Sequence, residues 1–304
     1  MFDLEDARNE SGRPVMATIG VRDIEIAVRA YCEDLEYEIL DDAPICENYA
    51  GVWGDENAAL RPSCILKPKS NAPVFIRLIE CDENIAENDL PFHNWFAIEL
   101  TVKDSAALFE KLSAGEYFTP FAPPRELAFT DKIFPFQCRG QNGEILYLNE
   151  IRGNLDDIDL PVATSFVDHI FIVILNASSL SSSSDFYKSL LGIQLKEEHE
   201  IEYKTINRVF DLPLKTKHRL NTLGQDRSVF FEIDQAPEFK PEAKRAAIIE
   251  RGISCVSFIH PDATAAKPNS VIQERAPYNG CSVMQLYGCD GERIELISIT
   301  KEES

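Results

Sequence analysis

The sequence has few basic residues. Its 304 residues include 30 lysines and arginines against 51 aspartates and glutamates, which gives a formal net charge of −21. A field of this sign repels phosphate backbones, so it excludes nucleic acid as a partner. The sequence also lacks any run approaching the roughly 18 to 20 apolar residues of a transmembrane helix, which excludes a membrane span.

Two further signals are missing. The first residues are acidic and polar, without the basic and apolar regions of a secretory signal. The eight cysteines include no Cys-x-x-Cys pair, so we expect reduced thiols and no disulfide framework. Together these absences predict a cytoplasmic protein with no membrane partner.

The clearest positive feature is an internal repeat. Residues 140–150 and 288–298 both read as a tight, glycine-containing turn that leads into a short strand, and Gly143 corresponds to Gly291, 148 residues later. Each half of the chain also opens with a strand that leads into an amphipathic helix. The chain therefore reads as a duplication that covers almost its whole length.

Length and patterning divide the chain further. A length of 304 residues suits two domains of roughly 150 residues, and we predict them at 1–152 and 165–304. Each domain contains two units in which a strand, usually a helix and then more strands follow one another. The four units span about 15–80, 93–150, 165–235 and 250–300.

Three segments of the second half resemble one known family. They are the strand opening His169-Ile-Phe-Ile-Val, the helix end Asp185-Phe-Tyr-Lys-Ser-Leu-Leu-Gly and the turn and strand Gly288-Cys-Asp-Gly-Glu-Arg-Ile-Glu-Leu-Ile. The chain in this respect resembles the vicinal oxygen chelate superfamily of glyoxalases, bleomycin-resistance proteins and extradiol dioxygenases. That resemblance implies an α+β fold in which tandem βαβββ modules pair into two cup-shaped mixed sheets with helices outside. It also implies a divalent metal inside a cup.

The resemblance places metal ligands on the first and last strands of the two modules in the second domain. These positions are His169, Glu232, Cys255 and Glu295. Strand alternation supports this placement, because it puts His169, Phe171 and Val173 on one face and the intervening isoleucines on the other. An acid between Ile294 and Leu296 is costly to bury unless it is paired or bound to a metal. Imidazole with two carboxylates suits zinc, iron(II), manganese or nickel.

Cys255 departs from the family pattern, which usually has a second histidine at this position. A thiolate would still bind zinc, whereas a buried thiol that only packs would leave three ligands. Iron(II) oxygenases prefer two histidines and one carboxylate. The departure therefore favours hydrolytic, isomerase or lyase chemistry over ring cleavage.

Two functions follow from the resemblance. The first is a metal-dependent enzyme that acts on a small oxygen-rich substrate through lyase, isomerase or dioxygenase chemistry. Glu232 or Glu295 would serve as its base, with His218 and Tyr203 as more distant acid–base candidates. The alternative is a non-catalytic protein that binds a small molecule and has a degenerate metal site. Either would be a monomer or a homodimer.

The first domain lacks a comparable ligand set. Its corresponding residues are Thr18, Arg77, Trp95 and Tyr147, and we predict that this domain binds no metal. Arg77, Trp95 and Tyr147 would instead line a pocket for an anionic aromatic ligand by charge and stacking. The alternative is that the first domain is a structural partner of the second.

Overall fold

The computed structural model describes residues 11–53, 56–81, 93–235, 249–260 and 270–299. Within these ranges the chain forms four modules. The first contains β1 (Pro14–Val21), α1 (Ile24–Glu33), β2 (Glu38–Asp42), α2 (Glu47–Val52), a 3-10 helix (Glu56–Ala58), β3 (Ser63–Lys67) and β4 (Phe75–Glu80). The second contains β5 (Asn94–Val102), α3 (Ser105–Ala114), β6 (Phe118–Pro120), β7 (Ile133–Gly140) and β8 (Ile145–Ile151).

The third and fourth modules complete the described structure. The third contains β9 (Val167–Asn176), α4 (Leu180–Leu191), β10 (Gln194–Glu202), α5 (Lys204–Val209), β11 (Lys217–Gln225) and β12 (Ser228–Gln235). The fourth contains β13 (Gly252–Ile259), β14 (Val271–Gln273), β15 (Cys281–Tyr287) and β16 (Arg293–Ser298). The α+β class and the tandem modules predicted from the sequence are confirmed. No helix in the described ranges has the length and apolar character to cross a membrane.

Side-chain caps set the ends of the main helices. The Asp23 carboxylate accepts a hydrogen bond from the N–H of Ile26 at the start of α1 (2.9 Å). Asp104 does the same for Ala107 in α3 (2.9 Å). Helix α4 ends at Gly192, whose φ of 68° lies in the left-handed region that glycine adopts without steric cost. These caps fix each helix directly after the first strand of its module.

The modules pair across the two halves of the chain. One sheet has the order β14-β15-β16-β13-β1-β4-β3-β2 and joins the first and fourth modules. Its face covered by α2 is called the 1–4 cup. The other sheet has the order β10-β11-β12-β9-β5-β8-β7-β6 and joins the second and third modules. Its face covered by α5 is called the 2–3 cup, and both cups are completed within one chain.

This pairing differs from the prediction of one cup for residues 1–152 and another for residues 165–304. Each module opens with a strand of similar apolar character, and such a strand offers its free edge to the first strand of any other module. In the structure β1 pairs with β13 and β5 pairs with β9, both antiparallel. The predicted halves therefore do not coincide with the two sheets.

A shared core joins the two sheets. It contains buried side chains from both sheets and from α1, α3 and α4, for example Ile19, Leu100, Tyr31, Leu108 and Tyr187. Smaller cores lie on the other face of each sheet, under α2 in the 1–4 cup and under α5 in the 2–3 cup. Each sheet is therefore covered on both faces, which explains why its strands are largely buried.

Two equivalent hydrogen bonds connect modules that lie in different sheets. The hydroxyl of Tyr31 on α1 donates to the Glu144 carboxylate of the second module (3.2 Å). The hydroxyl of Tyr187 on α4 donates to the Glu292 carboxylate of the fourth module (2.7 Å). Both acids lie in the repeated turn identified in the sequence. The repeat thus supplies the contact that holds the two modules of each half together.

Glycine is required twice in each copy of that turn. Gly143 and Gly291 have φ values of 91° and 88°, in the region that only glycine adopts readily. At Gly140 and Gly288 an added Cβ would collide with the carboxylate of the following glutamate. The Gly-x-x-Gly-Glu pattern of the sequence therefore encodes a turn that folds back onto its own acid.

The buried Glu144 of this turn makes the stability of the protein depend on pH. Burial raises the pKa of Glu144 to about 7. A carboxyl group whose pKa is raised by folding stabilises the protein at low pH, and that contribution is lost as pH rises towards the folded pKa. We expect the free energy of unfolding of the native chain, relative to E144Q, to fall by up to about 3 kcal/mol between pH 4.5 and 8. Urea unfolding at four pH values would measure it, and a constant difference would contradict this role for Glu144.

Candidate functional site

The 1–4 cup contains a buried ion pair between Arg77 on β4 and Glu295 on β16. Arg77 Nη2 lies 3.3 Å from Glu295 Oε2, and the side chains are 1% and 0% exposed. Strand β4 runs beside β1 and places Arg77 against Thr18, whose hydroxyl accepts hydrogen bonds from Nε and Nη2 (3.0 and 2.7 Å). Strand β16 runs beside β13 and places Glu295 against Ser257, whose hydroxyl donates to Oε1 (2.7 Å).

Two tyrosines enclose this pair. The hydroxyl of Tyr278 donates to Glu295 Oε1 (2.9 Å), and the hydroxyl of Tyr49 on α2 donates to Oε2. Arg77 Nη1 donates to both hydroxyls. Its guanidinium also lies over the rings of Tyr49 and Trp53, at 5.1 and 4.8 Å from their centroids. Every polar atom of the pair is therefore occupied by another side chain.

The 1–4 cup does not fit a metal ion. Burial alone would raise the pKa of Glu295, but the Arg77 guanidinium and the hydroxyl donors hold it below its ordinary value. The carboxylate is therefore ionised and already neutralised by a fixed cation. A metal in the same place would have to displace Arg77 into a buried environment without a counter-charge, which is costly.

The structure does not bring together the four predicted metal ligands. Cys255 and Glu295 lie in the 1–4 sheet, whereas His169 and Glu232 lie in the 2–3 sheet. Within that second sheet Glu232 is opposite Ile174, five residues beyond His169, which corresponds to roughly 15 Å along β9. Burial raises the pKa of the Cys255 thiol to about 12, so it stays protonated and packs as a small apolar side chain.

The predicted orientation of His169 depended on regular alternation along β9, and the strand is not regular. Glu99 and Leu100 are adjacent on β5, yet they pair with Ile172 and Ile170, so β9 carries an extra residue at this point. Ile172 consequently packs on the side of the 2–3 cup and Ile170 in the shared core. The His169 side chain is half-buried at the end of the strand, with Nδ1 3.1 Å from a carboxylate oxygen of its neighbour Asp168.

The three residues predicted to line a pocket for an anionic aromatic ligand are also separated. Arg77 lies in the 1–4 cup, Tyr147 in the 2–3 cup and Trp95 in the shared core. The indole N–H of Trp95 donates to the backbone carbonyl of Arg293 (2.7 Å) and so links β5 to β16. Its ring packs on Tyr187, Phe231 and Phe258. Trp95 therefore joins the two sheets instead of facing a ligand.

Register identifies which residues of the 2–3 cup correspond to the cluster of the 1–4 cup. Thr18, Arg77, Ser257 and Glu295 correspond to Ile174, Glu232, Glu99 and Tyr147, respectively. Glu232 thus occupies the place of Arg77. The cation of one cup is replaced by an acid in the other.

Three acids approach one another in the 2–3 cup. Glu99, Glu232 and Asp234 are 9%, 7% and 4% exposed. Glu232 and Asp234 are two residues apart on β12 and share a hydrogen bond. Asn149 donates an amide hydrogen bond to Glu99 (2.9 Å), and the hydroxyl of Tyr203 donates to Glu232 (3.2 Å). In the described ranges no basic side chain forms an ion pair with any of the three acids.

The electrostatics of these acids follow from burial and mutual repulsion. Burial raises the pKa of Glu99, and the charge of Glu232 raises it further. Burial also raises the pKa of Asp234, with Glu232 and Glu99 adding to the effect. The pKa of Glu232 is raised less, because Asp234 and Tyr203 both donate hydrogen bonds to it. The cluster therefore holds protons on Asp234 and Glu99 more readily than on Glu232.

Two polar atoms beside the acids have unused hydrogen-bonding capacity. The hydroxyl of Tyr147 and Oδ1 of Asp234 are fully buried, and neither has a hydrogen-bond partner in the part of the chain that the structure describes. Tyr147 is 4% exposed, and its pKa is raised first by burial and then by Asp234, Glu232 and Glu99. Its hydroxyl therefore lies among the three acids. Buried polar atoms without partners are rare, so two of them beside three acids make the 2–3 cup a candidate binding site.

The remaining acid–base candidates have different surroundings. Tyr203 contacts Glu232, as described above. His218 is buried, and its Nε2 lies 2.6 Å from Oδ1 of Asn207 on α5. Its ring lies edge-on to that of Tyr203, with centroids 5.7 Å apart. His218 therefore holds the polypeptide around α5.

Sequence reasoning missed Glu99, although the signal was present. Glu99 lies between Ile98 and Leu100, the same pattern of an acid between apolar residues that identified Glu295. Asp234, two residues after Glu232, was missed because the family resemblance implies a single ligand on that strand. Tyr49 and Tyr278 lie outside the sheet strands, and no pattern in the sequence places them against Glu295.

Tandem βαβββ modules that pair into two cups define the vicinal oxygen chelate fold, and the chain has this fold. Glyoxalase I from Zea mays matches it with a TM-score of 0.59 and 15% identity, over 94% of this chain and 92% of that chain. A mutant of that glyoxalase I gives a TM-score of 0.61 and 14% identity over 96% of each chain. A protein from Bacillus subtilis assigned as a dioxygenase gives a TM-score of 0.58 and 9% identity, over 94% of this chain and 85% of that chain.

These likenesses concern the fold. Neither a protein-family model nor a curated protein matches the sequence. Since one scaffold supports many activities, the function must be argued from the two cups themselves.

Proposed function

We propose that this chain binds a small molecule in the 2–3 cup without a metal, and that the 1–4 cup is its structural partner. The observation that carries the proposal is the contrast between the two cups. In the 1–4 cup the acid Glu295 is neutralised by Arg77 and surrounded by donors. In the 2–3 cup three acids lie beside a buried hydroxyl that has no partner among the described residues.

The same contrast argues against the metal-dependent enzyme predicted from the sequence. That prediction needed His169, Glu232, Cys255 and Glu295 in one cup, and they lie in two sheets. In the described ranges no three His, Cys, Asp or Glu side chains are arranged to hold zinc, iron(II), manganese or nickel. The residues present do not fit a metal, so the non-catalytic binder is the function that the geometry favours.

The short helix α5 completes the proposed binding site. Ile206 and Phe210 pack on Ala97, Ile174 and the other apolar residues of the 2–3 cup. The cup therefore combines an apolar wall with a small number of polar groups, which is the usual composition of a small-molecule site.

A ligand screen on metal-free protein tests this function. Protein dialysed against EDTA would be mixed with a library of small amines, alcohols and carboxylates while its melting temperature is recorded. We expect at least one class to raise the melting temperature, by the equivalent of about 2.7 kcal/mol at a concentration 100 times the Kd. The rise should be unchanged by EDTA.

Matched variants locate the site. Y147F alters the hydroxyl in the 2–3 cup and should reduce the ligand-induced rise, whereas Y49F alters the 1–4 cup and should leave that rise intact. The proposal fails if the rise disappears in EDTA and returns with zinc, or if Y49F removes it while Y147F does not.

A further inference from the structure

We propose that the ligand of the 2–3 cup is a small organic cation, an amine with an aromatic or alkyl body, whose ammonium group binds among Glu99, Glu232 and Asp234. This inference rests on the proposed function of the 2–3 cup and specifies its ligand class. It follows from charge, from hydrogen-bonding capacity and from the walls of the cup.

The charge of the 2–3 cup favours a cationic ligand. The 1–4 cup shows how this fold neutralises a buried acid, because the Arg77 guanidinium lies 3.3 Å from Glu295. The corresponding position in the 2–3 cup is Glu232, so this cup has additional acids in place of an internal cation. Buried carboxylates attract a cation strongly and repel an anion. An external ammonium group would have the same role here as Arg77 has in the 1–4 cup.

The acceptors of the 2–3 cup that lack partners among the described residues favour a ligand that donates hydrogen bonds. Oδ1 of Asp234 and the hydroxyl oxygen of Tyr147 are both acceptors, and neither has a partner within the described ranges. Glu232 is a further acceptor, with Tyr203 donating to one of its oxygens. An ammonium group is a donor only, with up to three N–H bonds. It therefore matches the acceptors that converge on this point, whereas a carboxylate ligand would be repelled by ionised Glu232.

The aromatic walls of the 2–3 cup favour an organic cation. Phe96 and Phe210 lie with ring centroids 5.9 Å apart. The Arg139 guanidinium already lies over the rings of Phe121 and Phe210, at 5.9 and 5.4 Å from their centroids. The cation over these rings shows that aromatic faces in this wall accept a positive charge, and the apolar rings suit an organic body. A bare metal ion would make no use of this surface.

Proton release should accompany binding. An ammonium group favours the ionised form of the carboxyl groups that hold protons in its absence, so binding displaces protons and strengthens as pH rises above the ordinary range of carboxyl pKa values. The titratable groups around Glu232 come from every neighbouring element of the cup. They are Glu99 on β5, Tyr147 on β8, His199 on β10, Tyr203 before α5, His218 on β11 and Asp234 on β12.

Calorimetry with three matched probes tests the inference. The full chain, treated with EDTA, would be titrated with 2-phenylethylamine, with its neutral analogue 2-phenylethanol and with the anion 3-phenylpropanoate. We expect the amine to bind at least tenfold more tightly than either analogue. The measured enthalpy of amine binding should change with the ionisation enthalpy of the buffer, which reports the released protons.

Variants assign that binding to the cup. E232Q and D234N should each weaken amine binding at least tenfold while circular dichroism shows a folded protein. The matched control D185N removes an exposed acid from α4 and should leave the affinity unchanged. Unchanged amine affinity in both cup variants would overturn the inference.

The outcomes separate this inference from the proposed function. If 2-phenylethanol or 3-phenylpropanoate binds as tightly as the amine and E232Q abolishes that binding, the cup is a binding site but the ligand class is wrong. If all three probes fail while another library compound binds in a Tyr147-dependent manner, the inference also fails alone. If Mn²⁺ or Zn²⁺ alone binds and E232Q prevents it, the cup is a metal site and both proposals fall.

Discussion

Replacement of Arg77 with methionine is expected to lower the free energy of unfolding by about 3–5 kcal/mol. The substitution leaves Glu295 ionised and buried in the 1–4 cup, without the cation that compensates its desolvation. It also removes a donor from Thr18 and from the two tyrosine hydroxyls. Chemical denaturation monitored by circular dichroism would measure the effect.

Two controls separate the buried pair from ordinary ion pairs. The double variant R77M/E295M removes both charges and should recover about half or more of the lost stability, because an apolar pair needs no counter-charge. R275M breaks the partly exposed pair with Asp41 and should cost about 1 kcal/mol or less. Equal losses for R77M and R275M would contradict the structural role assigned to the 1–4 cup.

Replacement of Trp95 with alanine is expected to cost about 3–5 kcal/mol. Trp95 is buried between Tyr187, Phe231 and Phe258, so its loss leaves a cavity in the shared core. It also leaves the carbonyl of Arg293 without the indole donor that links the two sheets.

Chemical denaturation followed by circular dichroism would measure the loss in W95A, and the native Trp95 can report the unfolding of its own surroundings. Trp53 and Trp95 are the two tryptophans of the chain, so W53F leaves Trp95 as the single fluorescent reporter. In that background fluorescence and circular dichroism should report one coincident transition, since Trp95 contacts both sheets. F129A, at an exposed position, should change stability by less than about 0.5 kcal/mol. A loss below about 1 kcal/mol in W95A would show that the sheets are held together by other contacts.

The fold could be predicted from the sequence because its signals are local. The repeated Gly-x-x-Gly-Glu turn needs glycine at positions such as Gly143 and Gly291, and that need is visible without knowledge of distant contacts. The apolar strands and capped helices are likewise encoded in short segments. These local features were sufficient to predict the four modules and their order along the chain.

The pairing of modules and the composition of the site are not local. Glu295 was found because a charged residue between apolar neighbours stands out in a strand, and Glu232 because the family resemblance implies a ligand on the last strand of the third module. Their partners were not found, because Arg77 and Glu295 meet only when β1 pairs with β13. The extra residue in β9 reversed the side-chain alternation after His169, and nothing in its apolar sequence marks that position.

Because the first module pairs with the fourth, the strands of the two sheets are completed at different stages of synthesis. Every strand of the sheet that carries the three acids has been synthesised once residue 235 is added, whereas Thr18 on β1 must wait for Cys255 on β13. The first module is thus synthesised first and closed last, and it spends that interval with an unpaired strand edge. Contacts between residues so distant in the chain form slowly. The sheet of the second and third modules is therefore complete in sequence before the sheet of the first and fourth modules.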